Sequence, residues 1–221
     1  APDDALIGAS LLWALRRGSR RAKLRAIQMC GRCAGGFGDS GAAGGNGACG
    51  EEAVRALLDL AADPGEDDYV KRIAVFALRC LGIDGPIEAW IGGRPVTYEK
   101  ASYLPGPPAW RREWRDVADL AMKRMAVRFD LMQQFDMVTL WAEFLRRAFP
   151  VVPKIVKKEG WAGALEYLTA KLHGRPESCG EVARRYGVSA QTVGKNARLI
   201  DEVLGLGAKM RAIFANSGKT L

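Results

Sequence analysis

The chain has a single histidine, His173, in 221 residues. That scarcity excludes most catalytic triads and His-rich metal sites, which need imidazole as base or ligand. Cysteine is sparse as well: Cys30, Cys33, Cys49, Cys80 and Cys179 are an odd set spread over a long chain. Such a set fits reduced thiols in a cytoplasmic protein better than a disulfide framework. No run of eighteen uncharged apolar residues occurs, so no membrane partner is expected. The opening Ala-Pro-Asp-Asp has neither the basic nor the apolar region of a secretion signal. A full Gly-x-x-x-x-Gly-Lys-Ser/Thr phosphate loop and a Ser nucleophile elbow are missing too. The expectation is therefore a non-enzyme, with no catalytic residue, no metal and no cofactor.

What is present is ordinary in amount and uneven in placement. Hydrophobic residues make up 48% and charged residues 26%, the composition of a globular chain with one large or two small domains. The net charge of +8 is concentrated at one end. Residues 1–104 carry thirteen Lys/Arg against thirteen Asp/Glu, whereas residues 150–221 carry twelve against six. A basic excess of this kind points to a polyanion partner for the last third, because neutralised phosphates release counterions.

The first hundred residues repeat weakly at an offset of 48. Residues 21–33 lie over 69–81, matching Lys23 to Lys71 and Ala26 to Ala74, with small or apolar pairs at Met29/Ala77, Cys30/Leu78 and Cys33/Leu81. A helical stretch precedes each copy, at 5–13 and 51–61, the latter with Val54, Leu57, Leu58 and Ala61 on one face. Two helical hairpins are expected. Residues 1–83 on this pattern resemble HEAT-like repeats, stretched by a loop at 35–50 in which eight of sixteen residues are Gly. The resemblance implies a face for a protein partner or for self-association through the N-terminal helices. Cys30-x-x-Cys33 followed by Cys49 has the spacing of zinc ligands. The aligned copy, however, puts Leu78 and Leu81 at the matching positions and no His is near, so core packing is the expected role.

Residues 84–109 form a Pro/Gly-rich junction, in which 88–98 predicts a short β-hairpin around Gly92-Gly93, with Pro95 confining it to an edge. Helical periodicity returns over 110–221. Trp114, Ala118, Ala121 and Met125 make one stripe, Met132, Phe135, Thr139, Ala142 and Leu145 a second, and Trp161, Leu165, Leu168 and Leu172 a third. The Trp and Met residues are assigned to packing, and His173 to a helix end. The fold class expected is mainly α, with N-terminal helical hairpins, a short β-hairpin in the junction and a C-terminal helical bundle.

The most specific pattern lies at 178–204. Val182, Ala183 and Tyr186 give a short helix an inner face, Gly187 ends it, Val188 fills the angle, and Ser189 caps a second helix whose inner face is Val193, Ala197, Ile200 and Leu204. This pattern resembles a helix-turn-helix, and the resemblance implies a second helix lying in the major groove of double-stranded DNA. It places Ala190, Gln191, Thr192, Lys195 and Asn196 on the outer face. Gln191 or Asn196 would then pair with adenine, Ser189 sits at the helix start, and Lys195, Arg198, Arg184 and Arg185 suit phosphates. Residues 161–204 also resemble the closing helices of a cyclin-like repeat of transcription factor B, through the Ala/Leu-rich helix 163–172, the His-Gly-Arg-Pro link at 173–176 and the two-helix ending. The zinc ribbon and second repeat of that factor are absent from the sequence. The expected function is DNA binding of the transcriptional-regulator type. The alternative is a scaffold or adaptor in which the helix-turn-helix is only a packing device.

Overall fold

The computed structural model describes residues 2–33, 50–99, 102 and 111–207, with side chains at 2–5, 32 and 33 excepted. The fold is mainly α, with one small antiparallel β-hairpin among the described residues. The chain divides into two compact units, the first made of residues 1–109 and 126–135, the second of 110–125 and 136–221. The Gly-rich loop at 35–50, all but Gly50, and most of the segment 99–110 lie outside the described residues, as do Cys33's side chain and Cys49.

The first unit opens with a helical hairpin, α1 (Pro2–Arg17) and α2 (Arg20–Cys33). Only glycine fits its corner. A Cβ on Gly18 would stand 2.4 Å from the Ala14 carbonyl oxygen and 2.9 Å from the Ala22 Cβ. A second hairpin follows, α3 (Glu51–Ala62) and α4 (Asp68–Cys80), in which Asp67 caps α4 by accepting from the Tyr69 and Val70 amides. Helix α4 packs against α2, α3 and β1, and its residues from Val70 to Leu78, Arg72 excepted, are buried all round, as expected of a central helix. The positions paired by the sequence repeat agree in part. Ala26/Ala74 and Cys30/Leu78 are buried in both copies, but Met29 is 47% exposed where Ala77 is fully buried.

Strands β1 (Ile87–Ile91) and β2 (Arg94–Tyr98) pair antiparallel, with Trp90 opposite Pro95. Gly92 and Gly93 take φ of 62° and 75° at the tip, the two left-handed residues that a tight two-residue hairpin loop requires. Ile87, Ala89 and Ile91 turn inward, and β1 packs on α3 and α4. The described part of 84–109 is thus integrated into the first unit rather than standing as a junction. Asp68 fastens the hairpin tip, one carboxylate oxygen accepting from the Gly92 amide at 2.8 Å and the other facing the buried Lys71 ammonium at 3.0 Å. The hydrogen bond to Lys71 holds the Asp68 carboxyl below its ordinary range. Residues 126–135 also belong to this unit rather than to the C-terminal bundle: the ring of Phe135 meets Phe76 and Tyr69 edge-on at 5.5 and 5.9 Å.

The second unit contains α5 (Arg112–Met125), α6 (Leu131–Ala148) from Asp136 onward, α7 (Lys158–Leu172), α8 (Cys179–Tyr186) and α9 (Ala190–Leu204). Helix α7 packs against α5, α8 and α9. Its small residues admit close neighbours, since a Cβ on Gly163 would meet the side chains of Val193 and Tyr186 at 3.2 and 3.3 Å. Trp141, Phe144 and Trp161 cluster with ring centroids 5.5–5.8 Å apart, and the Trp141 indole donates to the Trp114 carbonyl at 2.8 Å. Two expected stripes need correction. Thr139 is exposed, and Met132 and Ala142 are only half-buried, because α6 buries Met137, Val138, Leu140, Trp141 and Phe144 across more than one row. Leu172, at the end of α7, is 37% exposed.

Candidate nucleic-acid interface

The segment 178–204 folds as two helices joined by a tight turn. Ser178 and Glu181 form a reciprocal capping box at the start of α8, which holds the Glu181 carboxyl below its usual range through the Ser178 amide and hydroxyl. Gly187 ends α8 at φ 65°, ψ 33°, and the Val188 amide returns to the Ala183 carbonyl at 3.1 Å. Ser189 then accepts from the Thr192 amide at 3.1 Å and starts α9. Val182, Ala183 and Tyr186 of α8 are buried, as are Val193, Ala197, Ile200 and Leu204 of α9. Val188 is half-buried in the angle.

The outward side of α9 is a single stripe. Gln191, Lys195, Arg198 and Glu202 are exposed at spacings of four, three and four residues. Arg184 on α8, Ser189 and Ala190 are exposed as well. Lys195, Arg198 and Arg184 have no ion-pair partner among the described residues, so their charge is directed at solvent. From Gln191 to Arg198 the stripe rises about 10 Å, the length of roughly three base steps. Glu202 then brings a negative charge onto the same line and, by repulsion, ends its usefulness to a polyanion.

Three of the expected contact residues sit differently. Thr192 and Asn196 are half-buried and turn toward α7. A Cβ on Gly160 would lie 2.6 Å from Thr192 Cγ2 and 3.2 Å from Asn196 Nδ2. Arg185 is not a free cation. Its guanidinium donates to Glu166 Oε1 from Nε at 3.0 Å and from Nη2 at 2.5 Å, and it also pairs with Glu177. Glu166 is fully buried at the middle of α7, where it further accepts from the Tyr186 hydroxyl at 2.6 Å. Burial, followed by the Glu166 charge, pushes the Tyr186 phenol far up, so it remains a donor. Arg185 therefore fixes α8 to α7, and no phosphate contact is assigned to it.

The contact between Gly160 and Thr192 sets the seating of α9. Thr192 Oγ1 lies 2.9 Å from the Ser189 hydroxyl, which restrains its rotamer and keeps Cγ2 against Gly160. Gly160→Ala gains about 1 kcal/mol of helix propensity yet costs about 2 kcal/mol of overpacking, for a net loss of roughly 1 kcal/mol. Adding Thr192→Ser deletes Cγ2 and is expected to restore the urea midpoint to the parental value or above it.

Two basic residues that the sequence reading left unassigned flank the site. Lys157 and Lys158 are exposed at the start of α7, within three residues of the Gly160 contact with α9. The local +6 excess already counted them, but only the α7–α9 packing places them beside the second helix. Lys158 also lies in the field of Asp119, whose carboxyl is raised by burial. His173 caps the C-terminal end of α7 and pairs with Asp136 at 3.0 Å. Among the described residues no three His, Cys, Asp or Glu side chains come together, and no helix is long and apolar enough to cross a membrane.

Comparison with models of protein families, with curated proteins and with solved structures finds no match. The site is therefore read from its own geometry.

Proposed function

We propose that this is a DNA-binding protein of the transcriptional-regulator type, which presents α9 to the major groove of duplex DNA. The reading rests on one observation: Gln191, Lys195 and Arg198 share an exposed stripe with no ion-pair partner among the described residues, on a helix preceded by a tight turn. Lys195, Arg198 and Arg184 contact phosphates and set orientation, while Gln191 is the residue of the stripe suited to a base edge, adenine above all. Lys157 and Lys158 extend the cationic surface along the backbone of the duplex. Ser189 keeps its hydroxyl on the cap and contributes position rather than readout. The bundle of α5 to α9 serves here as the closing part of a cyclin-like repeat would, by holding two helices at a set angle.

The test is duplex binding by fluorescence anisotropy with a short random-sequence probe, titrated with salt. Each lost phosphate contact lowers the slope of log affinity against log salt by about 1. Lys195→Glu with Arg198→Glu is therefore expected to reduce the slope by about 2, and the affinity at about 0.1 M salt by about a hundredfold. Both positions are exposed, so the thermal midpoint should be unchanged. Parental affinity and slope in the double variant would refute the proposal.

A further inference from the structure

An apolar groove of about 540 Å³ runs between α1 and α2. Leu6, Ile7 and Met29 line it while 67%, 45% and 47% exposed, values unusual for side chains of that size gathered in one place. Arg21 and Arg25 on α2 are the charged lining residues, one helical turn apart. Both are exposed and neither has an ion-pair partner among the described residues. Helix α2 as a whole carries Arg20, Arg21, Lys23, Arg25 and Arg32 with no Asp or Glu. Lys23 and Arg20 are occupied by Glu66 and Asp67, which leaves Arg21 and Arg25 for the groove.

We infer that this groove docks an amphipathic, acidic helix of a protein partner. The stripe from Leu6 to Ala14 rises about 12 Å, enough for two to three turns of a helix laid along it. A helix with apolar residues three and four apart fills the floor, and carboxylates one turn apart on its flank meet Arg21 and Arg25. The sequence repeat argues against a further hairpin of the same kind. Where α2 has Arg21 and Arg25, the central α4 has the half-buried Tyr69 and the buried Ile73, so the open face differs in charge from the stacked one. A second copy of the chain would bring the same two arginines against themselves. Residues 205–221 carry Lys209, Arg211 and Lys219 with no acid, and are repelled for the same reason.

The full chain is tested by anisotropy against a labelled helical peptide with Leu at i, i+3, i+4 and i+7 and Glu flanking that stripe. A peptide with Lys in place of every Glu serves as the comparison. The acidic peptide is expected to bind at least about tenfold more tightly than the basic one, and Arg21→Glu with Arg25→Glu is expected to reverse that order. Arg21→Gln with Arg25→Gln should abolish the preference without reversing it, which keeps the test valid if the charge-reversed chain folds poorly. Equal binding of the two peptides, binding of neither, or indifference to both arginine pairs overturns the inference. So does preferential capture by phosphatidylserine vesicles. Dimerisation in sedimentation velocity that Leu6→Asp abolishes assigns the groove to a second copy and overturns it as well.

Discussion

Arg79→Leu is expected to lower the stability of the first unit by about 4 kcal/mol, a large part of the total for a domain of this size. The Arg79 side chain is 4% exposed and ends among carbonyl oxygens from two separate chain segments. Nη1 donates to the Ile83 and Gly85 carbonyls at 2.5 and 2.7 Å, Nη2 to those of Tyr98 and Glu99 at 3.3 and 2.9 Å, and Nε to Ser102 at 2.9 Å. Without the guanidinium these carbonyl oxygens lose a charged donor at a site where little water reaches. Each such bond to a charged donor contributes about 1.5–3 kcal/mol, offset in part because the loops relax toward solvent once it is lost. Lysine should rescue little. Its ammonium is a point with three donors, whereas the planar fork of arginine spans both segments at once. Equilibrium urea unfolding gives the magnitude. Hydrogen exchange should show the amides of 87–98 losing protection first, because that hairpin is closed on its far side by these bonds. A loss below about 1 kcal/mol would mean that the carbonyls are hydrated without the guanidinium.

The second large effect is expected at Arg185. Removing its charge with Arg185→Met takes from the Glu166 carboxylate, fully buried on α7, a cation that meets it through two N–H donors, while the Tyr186 hydroxyl stays. Breaking a buried ion pair by removing one partner costs about 3–5 kcal/mol. Replacing Glu166 by Met in the same chain should recover most of that loss, since a buried ion pair exchanged for packed apolar side chains is close to neutral. The Tyr186 hydroxyl then lacks its acceptor, and a residue of about 1–3 kcal/mol should remain until Tyr186→Phe is added. Chemical denaturation of the single, double and triple variants measures the sequence of losses and recoveries. A single variant as stable as the double would show that Glu166 does not depend on Arg185. This series also separates structure from contact, because Arg185→Met should reduce duplex binding only as it unfolds the second unit. Lys195→Glu with Arg198→Glu is expected to reduce binding in a folded chain.

Much of the candidate site was legible along the sequence. The turn glycine, the capping serine and the spacing of Val193, Ala197, Ile200 and Leu204 are local signals, each decided within a few residues by backbone sterics or by one hydrogen bond. The same holds for Gly92-Gly93, whose left-handed angles define the hairpin. Stripe counting failed on α6, where Thr139 stands outside and Trp141 inside, because a helix covered on more than one side has no single apolar row to find. Arg185 departs from the sequence expectation for a different reason. Its carboxylate partners lie 19 and 8 residues away, and nothing local distinguishes it from its neighbour Arg184, which stays exposed.

Residue order alone determined the helical class, the ends of α8 and α9 and the surplus of positive charge in the last third, since each follows from short-range geometry or from composition. Which cations remain free was decided by tertiary structure. Arg185 and Lys23 are neutralised by acids that folding brings to them, while Lys195, Arg198, Arg21 and Arg25 meet none among the described residues. The availability of a charge depends on what stands within a few ångströms of it, and that distance exists only once the helices have packed.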